Sequence, residues 1–135
     1  MLRLLAALAW CAATGAAFGQ APAACPNAQE LSPRQLVGLW RAEFEGQLPA
    51  ATLLLEPHRE YALSLSGEIN RDGVRARLAA DLEQGEFTME ESADGRRISA
   101  TWLGDVVEGS CGNEIRGRRE GGWDGTVPFV LKKLP

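Results

Sequence analysis

The stretch GEINRDGVRARLAADLEQGEFTMEESADGRRISATWLGDVVEGSC, residues 67–111, decides the fold. Apolar and polar residues alternate through it, and Asp72-Gly73, Gln84-Gly85, Asp94-Gly95 and Gly104-Asp105 punctuate it. In an antiparallel hairpin, residues opposite one another share a face of the sheet. Centring hairpins on the four dipeptides sets Ile69 opposite Ala76, Leu82 opposite Phe87, Phe87 opposite Trp102 and Ile98 opposite Cys111. The second set of pairs is Gly67–Leu78, Ala80–Met89, Met89–Ala100 and Trp102–Val107. Every turn then pairs apolar with apolar, and Asp-Gly is a strong hairpin signal. The segment reads as an antiparallel meander with one apolar face.

Working outward, the same period of two predicts strands at about 37–44, 51–56, 60–69, 74–82, 86–91, 97–103, 106–118 and 127–133. Eight short antiparallel strands sharing one apolar face favour closure, which removes both exposed edges. The expected class is therefore all-β, an eight-stranded antiparallel up-and-down barrel over residues 32–135. An open meander or a two-sheet sandwich is the alternative. Ser32-Pro33-Arg34-Gln35-Leu36 predicts one capped helical turn before the first strand, with Ser at the cap and Pro at the first helical position. Residues 20–31 are rich in Pro and Ala and read as an extended leader.

Residues 1–19 have the form of a secretory signal peptide: Arg3, an apolar run from Leu4 to Ala17, and small residues before the cut. The run is too short for the ~20 residues of a membrane span. Trp10 beside Cys11 does not suit a lipoprotein signal. Export removes Cys11 and leaves Cys25 and Cys111, which are expected to pair in an oxidising compartment. Of the 14 basic residues only Lys132 and Lys133 are lysine, a bias of GC-rich bacterial genomes that makes the periplasm the expected location. The net charge of −4 argues against a nucleic-acid or anionic-membrane surface.

Chemistry is sparse. His58, the one histidine, follows Pro57 in an expected turn with no nucleophile or orienting acid beside it. One histidine and scattered carboxylates make no metal shell, so neither catalysis, metal nor cofactor is expected. Glu90 and Glu91 point to opposite faces. Glu91 falls on the apolar parity near a barrel end, either as a rim residue in water or as a polar contact inside. Arg116-Gly117-Arg118-Arg119 reads as a solvated strand end balanced by Glu114 and Glu120, or else as an anion site. Arg75 and Arg77 are expected to pair with Glu across strands. Cys111 falls on the inward parity, unless a bulge near Gly112-Asn113 turns it outward. Trp123, among glycines in Glu120–Gly125, is the candidate partner-binding residue, as a lid or an offered anchor.

Leu36-Val37-Gly38-Leu39-Trp40, a helical turn leading into Gly-x-Trp, resembles the opening of the calycins: lipocalins, fatty-acid-binding proteins, avidins and small periplasmic inhibitors of bacterial metalloproteases. The resemblance implies that Trp40 closes one barrel end beneath a cation from near the chain's end, supplied here by Lys132 or Lys133. Ser99–Gly104 is similar to an avidin segment with a ligand-contacting Trp, although Arg41–Gly46 lacks the accompanying Asn and Ser. The plan of an exported barrel with one disulfide and a leader resembles the metalloprotease inhibitors. It implies a non-enzymatic binding protein whose leader and Trp123 loop engage a protein partner, an exported protease by the resemblance. The alternative is a small apolar ligand held inside and lined by Trp40, Tyr61, Phe87 and Trp102. The short strands carrying Leu, Trp, Phe, Tyr and Met inward favour a packed interior.

Overall fold

Asp72 and Gly73 take left-handed backbone at φ 50° and 87°, and Gln84 and Gly85 do the same at 49° and 81°. Two consecutive left-handed residues make the tight turn whose twist matches the strands it joins. Asn70 fixes the first turn by accepting the Gly73 N–H at 2.7 Å. In a computed structural model of the chain, which describes residues 15–16, 25–46, 48–122 and 125–135, these hairpins belong to a closed barrel. Its strands are β1 (Gly38–Phe44), β2 (Ala51–Pro57), β3 (Ser64–Arg71), β4 (Val74–Glu83), β5 (Glu86–Ser92), β6 (Ala100–Val106), β7 (Glu114–Glu120) and β8 (Thr126–Lys133). Each pairs antiparallel with the next, and β8 returns to β1. The expected all-β, eight-stranded up-and-down barrel is what the chain forms.

The registers test the hairpin argument turn by turn. Ile69 faces Ala76 and Gly67 faces Leu78. Leu82 faces Phe87 and Ala80 faces Met89, as expected. At Asp94-Gly95 the register differs by two: Met89 faces Trp102, Glu91 faces Ala100 and Phe87 faces Gly104. The cause is Asp94, whose Oδ1 accepts the N–H groups of Arg96 and Arg97, both at 2.8 Å. That widens the turn into a flap over residues 93–99. A shift of two keeps every side chain on its face.

The expected turn at Gly104-Asp105 does not exist. Strand β6 runs through it to Val106, and the chain reverses over 107–113, where Gly109, Cys111 and Gly112 have positive φ. Trp102 therefore faces Arg119, not Val107, and Ile98 is 57% exposed in the flap, not opposite Cys111. Cys111 lies outside the barrel wall, exposed, and bonds to Cys25. The bridge spans 86 residues, and closing a loop of that size removes at most roughly 4–5 kcal/mol of unfolded-chain entropy.

β3 also begins later than the alternation suggests. His58 Nδ1 accepts the N–H groups of Glu60 and Tyr61 at 3.1 and 3.2 Å, and Ser64 N–H returns to the Tyr61 carbonyl at 3.1 Å. The turn thus holds residues 58–63 out of the ladder, so Tyr61 is 63% exposed instead of lining the interior. The leader, expected to be extended, contains a 3-10 turn at Ala28–Glu30, and the expected capped turn is a second at Pro33–Leu36. Ser32 N–H donates to Gln35 Oε1 at 2.7 Å there. Ala28, Leu31 and Leu36 are buried and close one end of the barrel.

The inward positions fill the interior. Trp40, Trp102, Phe87, Leu53, Leu55, Ile69, Ile115 and Leu131 are each 0% exposed. On β6 and β7, Gly104 faces Gly117 on the inward parity, between Phe87 on β5 and Phe129 on β8. A Cβ on Gly117 would overlap the Leu103 carbonyl oxygen, and one on Gly104 would come within 3.1 Å of the Phe129 ring. The wall is pressed in here, leaving an outer dimple of about 250 Å³ bordered by Glu86, Asp105 and Arg118.

Gly117→Ala should therefore force backbone apart, not merely a flexible side chain. Urea denaturation is expected to show a loss of about 3 kcal/mol or more, at the upper end of overpacking changes, with the far-UV spectrum of a β-barrel retained.

Candidate functional site

The end of the barrel opposite the leader carries a charged cluster. Glu91, on the inward parity of β5, is 3% exposed. Its carboxylate accepts from Arg71 Nη1 at 2.7 Å and Nη2 at 3.1 Å, from Arg119 Nε at 3.1 Å and from Trp102 Nε1 at 3.1 Å. Arg71 closes β3, Arg119 sits near the end of β7, and Trp102 is on β6, directly beside Arg119 in the ladder. Arg71 and Arg119 lie two strands to either side of Glu91, so the charges meet through the lumen. Aromatic rings back them: Arg71 stands 6.0 Å from the Phe44 centroid and Arg119 5.9 Å from the Trp102 centroid. Trp102 in turn packs against Phe44 at 5.4 Å and Phe129 at 4.8 Å.

Burial is the largest single influence on the Glu91 carboxyl and pushes its pKa up. The hydrogen bonds and positive charges of Arg71 and Arg119 together outweigh it and hold the pKa at about 2, against the usual 4.5. The sequence-level choice for Glu91, rim or interior, resolves to the interior. The run Arg116-Gly117-Arg118-Arg119 reads from sequence as a solvated strand end or an anion site, with Arg119 like its neighbours. In fact Arg116 and Arg118 point out and pair with Glu114 at 3.4 Å and Glu120 at 2.8 Å, whereas Arg119 turns in. The signal that finds Arg71 and Arg119 is parity: Arg71 follows Ile69 by two, and Arg119 follows Ile115 by four.

At the leader end, Trp40 is wholly buried and its Nε1 donates to the Leu36 carbonyl at 2.8 Å. Lys133 Nζ donates to the Gln35 carbonyl at 2.8 Å and stands 5.9 Å from the Trp40 centroid. Lys132 instead faces out, 3.8 Å from Glu43. The leader does not extend freely from the barrel beyond Cys25: the disulfide ties it down, and Ala28 N–H donates to Glu108 Oε2 at 3.1 Å.

Of the residues expected to line a ligand pocket, Trp40, Phe87 and Trp102 are inside and packed, while Tyr61 is outside against His58, with ring centroids 4.9 Å apart. Trp123 lies outside the described residues. Arg75 pairs with Glu68 at 3.0 Å, as expected, whereas Arg77 has no carboxylate partner among the described residues. Among the described residues no group of three His, Cys, Asp or Glu is placed to hold a metal ion.

No family model matches the chain, and no curated protein matches it either. Among solved structures the chain is similar to a redesigned β-barrel, at 15% identity and a TM-score of 0.49, covering 77% of this chain and 96% of that one.

Removing the carboxylate leaves the buried Arg119 and the partly exposed Arg71 without the anion that they share. Glu91→Ala should cost about 3–5 kcal/mol in urea denaturation, the scale of breaking a buried pair by deleting one partner. The pH dependence follows from the lowered pKa. The stabilisation is complete above pH about 4.5 and is lost as pH falls towards about 2, a change of roughly 3 kcal/mol. Acid titration of stability should show this loss in the native protein and lack it in Glu91→Gln.

Proposed function

We propose that the chain is an exported, non-enzymatic binding protein that engages another protein through its outer surface and loops. The observation that carries this reading is the filled interior, with Trp40, Phe87 and Trp102 each 0% exposed. A carrier needs a cavity of a few hundred cubic ångströms lined by such residues. Here they belong to one buried core cluster, and the two ends are taken up by the leader and by the Glu91 cluster.

Export supports the same reading. The first 19 residues have the composition of a signal peptide. The Cys25–Cys111 bridge is compatible with an oxidising compartment such as a bacterial periplasm. Lys133 over Trp40 is the arrangement that kinship with the calycins implies, and an exported protease is the partner class that the inhibitor-like plan suggests. A docked leader does not favour a free arm entering a cleft. Recognition is therefore assigned to the loops and the outer wall.

The test is native mass spectrometry of the protein purified from the exporting cell, paired with carbodiimide cross-linking of its 18 carboxylates to a partner's amines before purification. A disulfide-bonded chain of bare mass, together with a discrete cross-linked species containing a second protein, is expected. A small apolar molecule retained in the native spectrum and lost on denaturation would overturn the reading in favour of a carrier.

A further inference from the structure

Although the chain is acidic overall, three of the five arginines without an ion pair among the described residues lie side by side, Arg34 and Arg59 being the other two. On the strands, the exposed arginines Arg41, Arg75, Arg116 and Arg118 each have a glutamate partner. Arg77 has none among the described residues, and beside it lie Arg96 and Arg97 of the 93–99 flap, also without an ion pair there. The three border a depression of about 260 Å³ between β4 and the flap, together with Ala79, Glu90 and Ile98. Glu90 is the single carboxylate lining it and Asp94 stands on the flap beside it, so three guanidiniums against two carboxylates leave a surplus of one positive charge. Ile98, 57% exposed, offers an apolar contact in the same depression.

The flap is held in place. Asp94 Oδ1 accepts the Arg96 and Arg97 N–H groups at 2.8 Å and the Ser92 hydroxyl at 3.3 Å. Ser99 N–H and Oγ both donate to the Glu91 carbonyl, at 2.7 and 3.0 Å. Gly95, at φ 76°, lies against Arg77: a Cβ there would stand 3.4 Å from the guanidinium. The backbone that carries the arginines is therefore set before any partner arrives, which lowers the ordering cost of binding.

From this the geometry points to the β4–flap depression as the docking surface for an acidic segment of a partner protein that carries an apolar side chain. The inference rests on the protein-partner reading above. Guanidinium forks match carboxylates two bonds at a time, and an apolar contact amid charged ones is the usual anchor of a small interface. A nucleic acid or an anionic membrane presents a long run of negative charge. Its approach is opposed by the net charge of −4 and by the carboxylates Glu83, Glu86 and Asp105, aligned across β4, β5 and β6. A short acidic segment reaches the three arginines without meeting that row.

Fluorescence anisotropy with a labelled octapeptide, two leucines flanked by three glutamates on each side, tests the inference on the full disulfide-bonded protein. Saturable binding is expected, weakening about tenfold from 50 to 300 mM salt. It should weaken at least about tenfold in Arg77→Glu and in the Arg96→Glu/Arg97→Glu double variant. Arg116→Glu/Arg118→Glu on the far wall should change it less than about twofold. Thermal melts confirm that the variants fold. Absence of binding, equal loss in the far-wall variant, or tighter binding of polyphosphate or phosphatidylglycerol vesicles than of the peptide would overturn the assignment. So would a low-salt dimer abolished by Arg96→Glu/Arg97→Glu, which would make a second copy's acidic row the occupant. If the peptide fails while cross-linking still captures a protein, the surface is misplaced and the protein-partner reading stands. If cross-linking yields none, that reading falls as well.

Discussion

The seam between β1 and β8 is the constraint on which the rest depends. Five consecutive pairs, from Trp40–Lys133 to Phe44–Phe129, join the first strand to the last. Without them β1 and β8 would each present a free edge, and the apolar face of the sheet would lie open to water. With them, alternate residues of every strand are committed to one enclosed volume. The seam is fastened at the leader end by two hydrogen bonds to neighbouring carbonyls of one short turn, Trp40 to Leu36 and Lys133 to Gln35. One turn of chain therefore ties both sides of the closure together.

Filling that volume explains the remaining features. Most inward positions take aliphatic or aromatic side chains. Where the wall presses in at Gly104 and Gly117, a side chain would meet the neighbouring strand's backbone and, at Gly104, the Phe129 ring. Near the far end three inward positions are charged, and they are tolerable because the carboxylate accepts from two guanidiniums and an indole N–H, although Arg71 Nε finds no hydrogen-bond partner among the described residues. A buried pair of this kind often adds little net stability over apolar packing, but losing one member is costly. The cluster thus commits β3, β5, β6 and β7 to one mutual arrangement.

The fold was legible because a face assignment needs only parity. Asp72-Gly73 and Gln84-Gly85 gave correct registers, and even the error of two at Asp94 left the faces of β5 and β6 intact. Gly104-Asp105 misled because a Gly-Asp dipeptide marks close backbone approach as readily as a turn; here Gly104 and its ladder partner Gly117 both sit in the wall. Tyr61 was misplaced because His58 caps a turn with its ring, an interaction that alternation does not register. Half the charged cluster was legible too. Glu91 stood out on the apolar parity, but its partners come from strands two places away on either side. Contacts through a lumen depend on barrel closure and stagger, which local periodicity does not encode. The arginine surface was less legible still, since it joins β4 to a flap whose shape is set by one aspartate side chain.

The disulfide has a mechanical meaning. Cys25 precedes β1 and Cys111 follows β6, so six of the eight strands lie within the covalent loop and only β7 and β8 lie beyond it. A load applied between the leader and the far terminus would run from Cys25 across the sulfur bridge and into β7, bypassing the first six strands. While the bridge is intact no load runs lengthwise along the chain of those strands, and only β1 and β6 are loaded, through their ladders to β8 and β7. What yields is the pair β7 and β8, drawn away from β6 on one side and β1 on the other, and the extensible length of the domain is set by the short stretch of chain after Cys111.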